Sequence, residues 1–370
     1  MRDDWHSTLE SAGLVIGVPD SLLGPWIRQI GGHDKHQPAA SEGAAIATAA
    51  AFAVGSGRVP IVYMQNSGLG NAVNPLMSLA NKSVYSTPMV LVIGWRGELD
   101  TEDGSQKDEP QHNAMGKITS DLLELMGVPV TVCDISRPLT SGLVELSMSQ
   151  AREHLGPVAL LVRKTGVLHL EGHNSGDQTK TGDFPSRSDY AEALVSQNPD
   201  AFFIATTGHI AREMYTICQS KGAPERLFMV TGAMGHVVSV ALGFALANPK
   251  ARFVVVDGDG SFQMHSSSIT SLQRVENLSY LVLNNGGHGS VGGQPTSAPN
   301  MSLDSAITGL TGLRAVKVED IESFNEQIRN ANFVLECLTT FEVSENLPRP
   351  SETHAEMASR FALALRRESK

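Results

Sequence analysis

Short apolar runs alternate with longer amphipathic segments along almost the whole chain. That alternation predicts buried strands in parallel sheets, with helices on both faces. GLVIGVP (13–19) reads as a strand or its exit, and Asp20 or Ser21 then caps a helix through LLGPWIRQI. SEGAAIATAAAFAVGSG (41–57) predicts a helix closed by glycine, its many alanines suiting close interior packing. RVPIVYMQN (58–66) predicts a strand, SGLGNAVNPLMSLANKSVYSTP (67–88) a glycine turn and a helix, and PMVLVIGWRG (88–97) another buried strand. Residues 98–113 carry no hydrophobic period and read as a loop of a length that is often functional. Helix, strand, helix and the strand PVALLVRK (157–164) follow.

GHNSGDQTKTGDFPSRSD (172–189) is polar and aperiodic, the best candidate linker, and the alternation restarts after it. The chain therefore divides into two α/β halves, 1–171 and 190–370, that repeat an architecture without a short sequence repeat. Within the second half, VVVDGDGSFQMHSSSITSLQRVENLSYLVLNNGGH (254–288) reads as strand, glycine turn, helix, strand and Asn-Asn-Gly turn.

Composition narrows the function classes. The chain has 370 residues, 41% apolar and 18% charged, with a formal charge of −11. Without a basic stripe, nucleic acid is excluded as an expected partner. The start shows no signal-peptide pattern and no apolar run approaches a membrane span. Cys133, Cys218 and Cys337 are scattered, odd in number, and suit small core positions in a reducing cytoplasm.

The chemistry concentrates at strand ends. Asp259 lies between two glycines after one apolar strand; Asn285 and Gly287 follow the next, 26 and 28 positions later. A carboxylate, an amide oxygen and a glycine carbonyl at the carboxyl edge of one sheet form a hard-oxygen set of the kind Mg²⁺ prefers. The turn around Gly258, Gly260 and Ser261 can open backbone N–H groups onto a phosphate. Glu42, in an Ala-rich helix, is either an exposed helix-start carboxylate favoured by the dipole or a buried functional one.

The pairing of GDG with NN resembles the Mg²⁺–diphosphate motif of the thiamine diphosphate enzymes. SEGAAIATAAAFAVGSGRVPIVYMQNSGLGNAVNPLMSLA, KDEPQH, GAMGH and NNGGHGSVGGQPT together are similar to the phosphonopyruvate decarboxylases, to which the sulfopyruvate decarboxylases are close. The resemblance covers most of residues 13–350. It implies a pyrimidine-binding domain in the first half and a diphosphate-binding domain in the second. It also implies thiamine diphosphate and Mg²⁺ as cofactors, held by Asp259, Asn285 and Gly287. The expected assembly is a homodimer, alone or as a dimer of dimers, with the active site between subunits.

By the same resemblance, Glu42 hydrogen-bonds the pyrimidine ring and relays the proton that activates the cofactor. Met234 sits beneath the cofactor and bends it, and the Gly232 carbonyl accepts from its amino group. The anionic 2-keto acid is expected to meet Asn66, Ser67, Asn71, Arg96, Ser290 and Gln294, and His112 or His288 to return a proton after CO₂ leaves. The implied reaction converts 3-phosphonopyruvate to phosphonoacetaldehyde and CO₂, a step of phosphonate biosynthesis. The alternatives are a sulfopyruvate or other anionic 2-keto acid decarboxylase, a related carboligase, and a non-catalytic cofactor-binding subunit. His209 stands where the family commonly has lysine and Gly289 where it has aspartate, so the substrate anion is the part the resemblance leaves open.

Overall fold

The fold is that of a computed structural model, which describes residues 5–98, 108–170, 183–289, 293–296, 301–330, 332–341 and 347–368. Two compact units divide the chain, Met1–Asp177 and Gln178–Lys370. The first holds β1 (Val15–Gly17), β2 (His36–Pro38), β3 (Ile61–Gln65), β4 (Met89–Gly94), β5 (Val130–Cys133) and β6 (Pro157–Val162), in the order β2-β1-β3-β4-β6-β5. The second holds β7 (Phe202–Ala205), β8 (Leu227–Met229), β9 (Phe253–Gly258), β10 (Leu278–Asn284), β11 (Val316–Val318) and β12 (Val334–Leu338), in the order β11-β12-β10-β9-β7-β8. All strand pairs are parallel.

Counted from its own first strand and read from the opposite edge, the second sheet has the same order as the first, 2-1-3-4-6-5. In both sheets the chain reverses its direction of travel between the first strand and the third, β1 and β3 in one and β7 and β9 in the other. Ligands of open α/β sheets bind outside the carboxyl ends of strands at such a reversal.

The central strands of each sheet are buried on both faces, which is why they are apolar throughout instead of alternating. Ile61 and Tyr63 of β3 enter one core, Val62 and Met64 the other. In β10, Leu281 and Leu283 face one core, Tyr280 and Val282 the other. The cysteines are free and buried, and burial pushes the Cys133 and Cys218 thiols up to about 12.

The helix Glu42–Ser56 forms as its sequence predicts. The Ser41 hydroxyl accepts from the Ala44 N–H at 3.3 Å, and Gly57 closes it at φ 70°. The segment 67–88 is less regular than expected: a 3₁₀ turn Asn66–Gly68, a short α-helix Leu69–Pro75, then a widened turn Leu76–Ala80. Pro75 has no N–H to offer the ladder and its ring crowds the carbonyl of the preceding turn.

The loop expected over 98–113 ends earlier, because the helix Pro110–Leu125 begins with proline at its first position. Residues 99–107 of that loop lie outside the described residues. So do residues 171–182, at the start of the expected linker, while the helix Arg187–Gln197 begins inside it behind a Ser186–Asp189 capping box. The edge strand β2 was not foreseen, since three half-polar residues carry no periodic signal. Among the described residues no helix is long and apolar enough to cross a membrane.

Candidate active site

In the first unit Glu42 opens its helix just beyond β2, and it is only 5% exposed. The Asn71 amide donates to its Oε2 at 3.0 Å. Burial raises the carboxyl pKa above the ordinary range, and the hydrogen bonds from Asn71 and from the Glu42 backbone only partly oppose this. The carboxylate fits because residue 68 is glycine: a Cβ there would stand 2.6 Å from Glu42 Cγ.

A part-buried polar chain spans the reversal between β1 and β3. Ser67 Oγ donates to Gln65 Oε1 at 2.7 Å, and Gln65 Nε2 to Asp20 Oδ1 at 2.9 Å. Asp20 also accepts from the Leu23 N–H at 3.1 Å, though the helix expected from residue 22 begins only at Gly24 and has no side-chain cap. Its burial raises its pKa, and Gly94 leaves it room: a Cβ there would stand 2.9 Å from the Asp20 carboxyl carbon. Asn66 is fully buried and committed to the protein. Its Nδ2 donates to the Arg96 carbonyl (2.9 Å) and Thr119 Oγ1 (3.0 Å), and its Oδ1 accepts from the Arg96 N–H (3.2 Å). It ties the ends of β3 and β4 together, and both hydrogens of its side-chain amide are spent within the protein.

The Arg96 guanidinium is held by Asp108 along one edge, Nε to Oδ2 at 3.1 Å and Nη2 to Oδ1 at 2.6 Å. Burial pushes the Asp108 carboxyl up, but Arg96 and the Glu109 N–H together hold it below its ordinary range. His112 lies in the first turn of its helix, not in the loop, and is buried with Nε2 at 3.9 Å from Glu109 Oε2. Its backbone carbonyl packs against Gly97, whose φ of 69° and bare Cα permit the approach.

In the second unit the register Gly258↔Leu283 brings Asp259 and Asn285 to the carboxyl ends of the neighbouring strands β9 and β10. Asp259 starts a helix directly after Gly258 and is 4% exposed. Burial pushes its carboxyl up to about 7, against hydrogen bonds from the Gly260 backbone and the Thr296 hydroxyl. Its Oδ2 is buried with no hydrogen-bond partner among the described residues. Asn285 is also buried, its Oδ1 accepting from the Gly287 N–H at 3.1 Å. A carboxylate oxygen without a donor beside a preset amide oxygen fits a hard cation.

Beneath Asp259 lies a second carboxylate. Asp257 is buried and its pKa is pushed up to about 6 by burial, opposed by Ser261, the Gly258 N–H, Tyr280 and Thr206. Tyr280 OH donates to its Oδ2 at 3.0 Å. The Ser261 hydroxyl pairs with Thr206 Oγ1 (2.9 Å) across the β7–β9 reversal and accepts from the Gly235 N–H (3.1 Å). Its side chain thus braces the turn.

The NNGG turn leads into a returning loop. The His288 N–H donates to the Gln294 carbonyl at 2.8 Å, Gly287 bridges Pro295, and the Thr296 N–H reaches the Gly286 carbonyl at 3.0 Å. This return carries the Thr296 hydroxyl to Asp259. Gly260 collects two predicted residues: a Cβ there would stand 2.9 Å from His288 Nδ1 and 3.4 Å from the Met234 methyl carbon. Burial drives the His288 pKa down to about 4, so at neutral pH its ring carries one N–H and one lone pair, without charge.

Gly232 is exposed at φ 73°, its N–H on Thr207 Oγ1 at 3.3 Å. Both amide atoms of Gln294 are buried without partners among the described residues. Ser290 lies outside the described residues. His209 begins the helix His209–Ser220, with burial lowering its pKa.

The sequence reading missed Gly68, Asp108, Thr206, Asp257, Tyr280 and Thr296. Gly68, Asp108 and Thr296 lay inside the motifs QNSGLGN, KDEPQH and SVGGQPT without being singled out, and Asp257 is the first aspartate of the doubled Asp-Gly in VVVDGDG.

Residues 8–115 match the family model described as thiamine pyrophosphate enzyme, N-terminal TPP binding domain, and residues 206–331 match its C-terminal TPP binding domain. A phosphonopyruvate decarboxylase of Streptomyces viridochromogenes is 33% identical, over 94% of this chain and 90% of that protein. One from Streptomyces hygroscopicus is 32% identical, over 82% and 76%. A sulfopyruvate decarboxylase of Methanosarcina acetivorans is 26% identical, over 66% and 64%.

Proposed function

We infer that this chain, which belongs to the phosphonopyruvate decarboxylase family of thiamine diphosphate enzymes, converts 3-phosphonopyruvate to phosphonoacetaldehyde and CO₂. The observation that carries the reading is 33% identity across nine-tenths of a phosphonopyruvate decarboxylase. Sulfopyruvate is the second candidate, favoured by the weaker Methanosarcina match, with His209 and Gly289 leaving the substrate anion open. The test is CO₂ release with Mg²⁺ and thiamine diphosphate present, on each keto acid in turn, with the organic product identified. Phosphonoacetaldehyde is expected; equal or faster turnover of sulfopyruvate would sink the phosphonate assignment, and a hydroxyketone product would make the chain a carboligase.

When bound, thiamine diphosphate supplies a nucleophilic carbon and a cationic ring that takes up the electron pair left by CO₂. The chain's own residues divide the remaining work. Asp259, the Asn285 amide oxygen and the Gly287 carbonyl would hold Mg²⁺ and, through it, the diphosphate, a set supported by the donor-free Asp259 Oδ2. Met234 and His288, gathered over Gly260, shape the floor of that site. Glu42 would relay a proton to and from the cofactor, a role helped by burial, which raises its pKa above the ordinary carboxylate range. His288 acts as a neutral hydrogen-bonding group, and His112 is left as the histidine that returns a proton after CO₂ leaves.

Arg96 is the anion anchor in this reading. Asp108 fixes one edge of its guanidinium, which leaves the edge at Nη1 for a phosphonate or carboxylate. Arg96→Lys keeps the charge and loses the fork. It is expected to raise KM roughly tenfold or more, the worth of a charged hydrogen bond, with a smaller effect on kcat. Steady-state kinetics on the favoured keto acid measure this, and an unchanged KM would remove Arg96 from the substrate site. The three free cysteines fit a cytoplasmic enzyme. A homodimer sharing its cofactor between copies is part of the same reading.

A further inference from the structure

The first unit carries a cluster that the decarboxylase reading does not use. On the helix Trp5–Ala12, His6 and Glu10 stand one turn apart on the same face. His33 reaches them from the turn after the helix Gly24–Ile30. His33 Nε2 lies 3.1 Å from His6 Nδ1 and 3.7 Å from Glu10 Oε1, and one ligand atom of each residue lies within 4.8 Å of the other two. Glu10 precedes β1 and His33 precedes β2, at the amino edge of the sheet, whereas Glu42 follows β2 at the carboxyl edge.

We propose that His6, Glu10 and His33 form a binding site for a divalent transition metal of the Zn²⁺ type. Bond lengths of about 2.0–2.2 Å at a tetrahedral angle put neighbouring ligand atoms roughly 3.3 Å apart, close to the separations here. Two imidazoles and one carboxylate leave a fourth position to water and suit Zn²⁺ better than Mg²⁺ or Ca²⁺.

The surroundings of His33 can support the metal-bound state after a change of tautomer. Its Nδ1 accepts from the Lys35 N–H at 3.2 Å, so the neutral ring carries its proton on Nε2 and donates it to His6 Nδ1. A metal on Nε2 requires the other tautomer, with the proton on Nδ1. Asp34 Oδ1, 3.2 Å from Nδ1, would accept that proton in place of the bond Nδ1 now takes from the Lys35 N–H. A carboxylate behind a ligating histidine is the usual support of a metal site, fixing tautomer and ring orientation. Both imidazoles stay neutral overall, so the proton lost at Nε2 is regained at Nδ1 through solvent. The cation now near the cluster is the Lys35 ammonium, 3.9 Å from Glu10 Oε1 and 3.1 Å from Asp34 Oδ2. The metal takes its place beside Glu10 and clamps the N-terminal helix to the turn before β2.

The test is Zn²⁺ titration by calorimetry, with thermal unfolding in parallel, on the enzyme saturated with Mg²⁺ and thiamine diphosphate. One saturable equivalent per chain is expected, together with a Zn²⁺-dependent rise in Tm that a chelator reverses. His6→Ala and His33→Ala are each expected to abolish both, and Asp34→Ala to weaken binding roughly tenfold or more. All three are expected to keep wild-type decarboxylation without Zn²⁺, which also reports that they fold. Should His33→Ala fail to fold, the exposed His6 position supplies the same reading. Zn²⁺ binding that is absent in the wild type, or equal in His6→Ala, would overturn the site.

Discussion

Glu42→Gln is expected to lower kcat by roughly 10²–10⁴-fold, the range lost when a positioned acid–base group is removed. Glutamine fills the same volume above Gly68 and can still accept from Asn71, so the local packing survives. What it lacks is a proton that can be given up and taken back. Cofactor affinity, measured by titration of the apo-enzyme, is therefore expected to stay close to wild type while turnover collapses. Undiminished turnover would refute the proton-relay role.

Stability supplies a second readout. The folded-state pKa of Glu42 lies above its unfolded value, so its contribution is fully present below the unfolded pKa and lost as pH rises through the folded one. Glutamine has no such term. The stability difference in favour of Glu42→Gln is expected to widen as pH rises through that window, measured by urea denaturation of the apo-protein at a series of pH values.

The parts of this molecule that were legible in sequence are those whose signal is local. An apolar run ending in Asp between two glycines announces a carboxylate at a strand end, and the register of β9 and β10 puts Asp259 and Asn285 where that reading needs them. The two-unit α/β architecture was legible for the same reason, because the central strands are apolar on both faces.

What stayed hidden depends on contacts between distant residues. Asn66 looked like a turn amide open to substrate, yet both its hydrogens are spent on Arg96 and Thr119, a fact of how β3 and β4 lie side by side. Arg96 looked free to bind an anion, but one of its edges belongs to Asp108, from a polar stretch without any periodic cue. Thr296 reaches Asp259 only because the loop after Gly287 turns back on itself.

The shared strand order gives these contacts a common logic. In each unit a hydrogen bond between side chains spans the reversal point, Gln65 to Asp20 in one and Thr206 to Ser261 in the other. The carboxyl edge at a reversal lacks a crossover connection to fill it, so polar side chains do, and they leave the turn residues rigidly placed.

Asp259→Asn tests the cost of that placement. The variant is expected to lose at least about 100-fold in Mg²⁺-dependent cofactor affinity, since even the supports of a metal ligand are worth 10–100-fold. The same substitution is expected to stabilise the apo-protein. Burial holds the Asp259 carboxyl at about 7 against an ordinary 3.8, with the Asp257 charge adding to the shift. Across that window the folded state keeps a proton that the unfolded state has released, so wild-type stability is full below the lower value and is lost as pH rises through the upper one. Above it, the chain carries a buried charge whose Oδ2 has no donor among the described residues.

Asparagine removes that charge. At about pH 8 it is expected to gain on the order of 1–3 kcal/mol, a value discounted from 1.36 kcal/mol per pKa unit for relaxation around the site. The gain is expected to vanish as pH falls toward the unfolded value. Asp257, still raised to about 6, keeps part of the pH slope in the variant. Thermal unfolding of both apo-proteins across this range, repeated with Mg²⁺ and thiamine diphosphate, separates the two effects. The wild type gains a large Tm increment from the ligands and the variant almost none. An Asp259→Asn protein that is less stable than wild type at high pH, or that keeps metal-dependent affinity, would show that the buried carboxylate is not held in reserve for the cation.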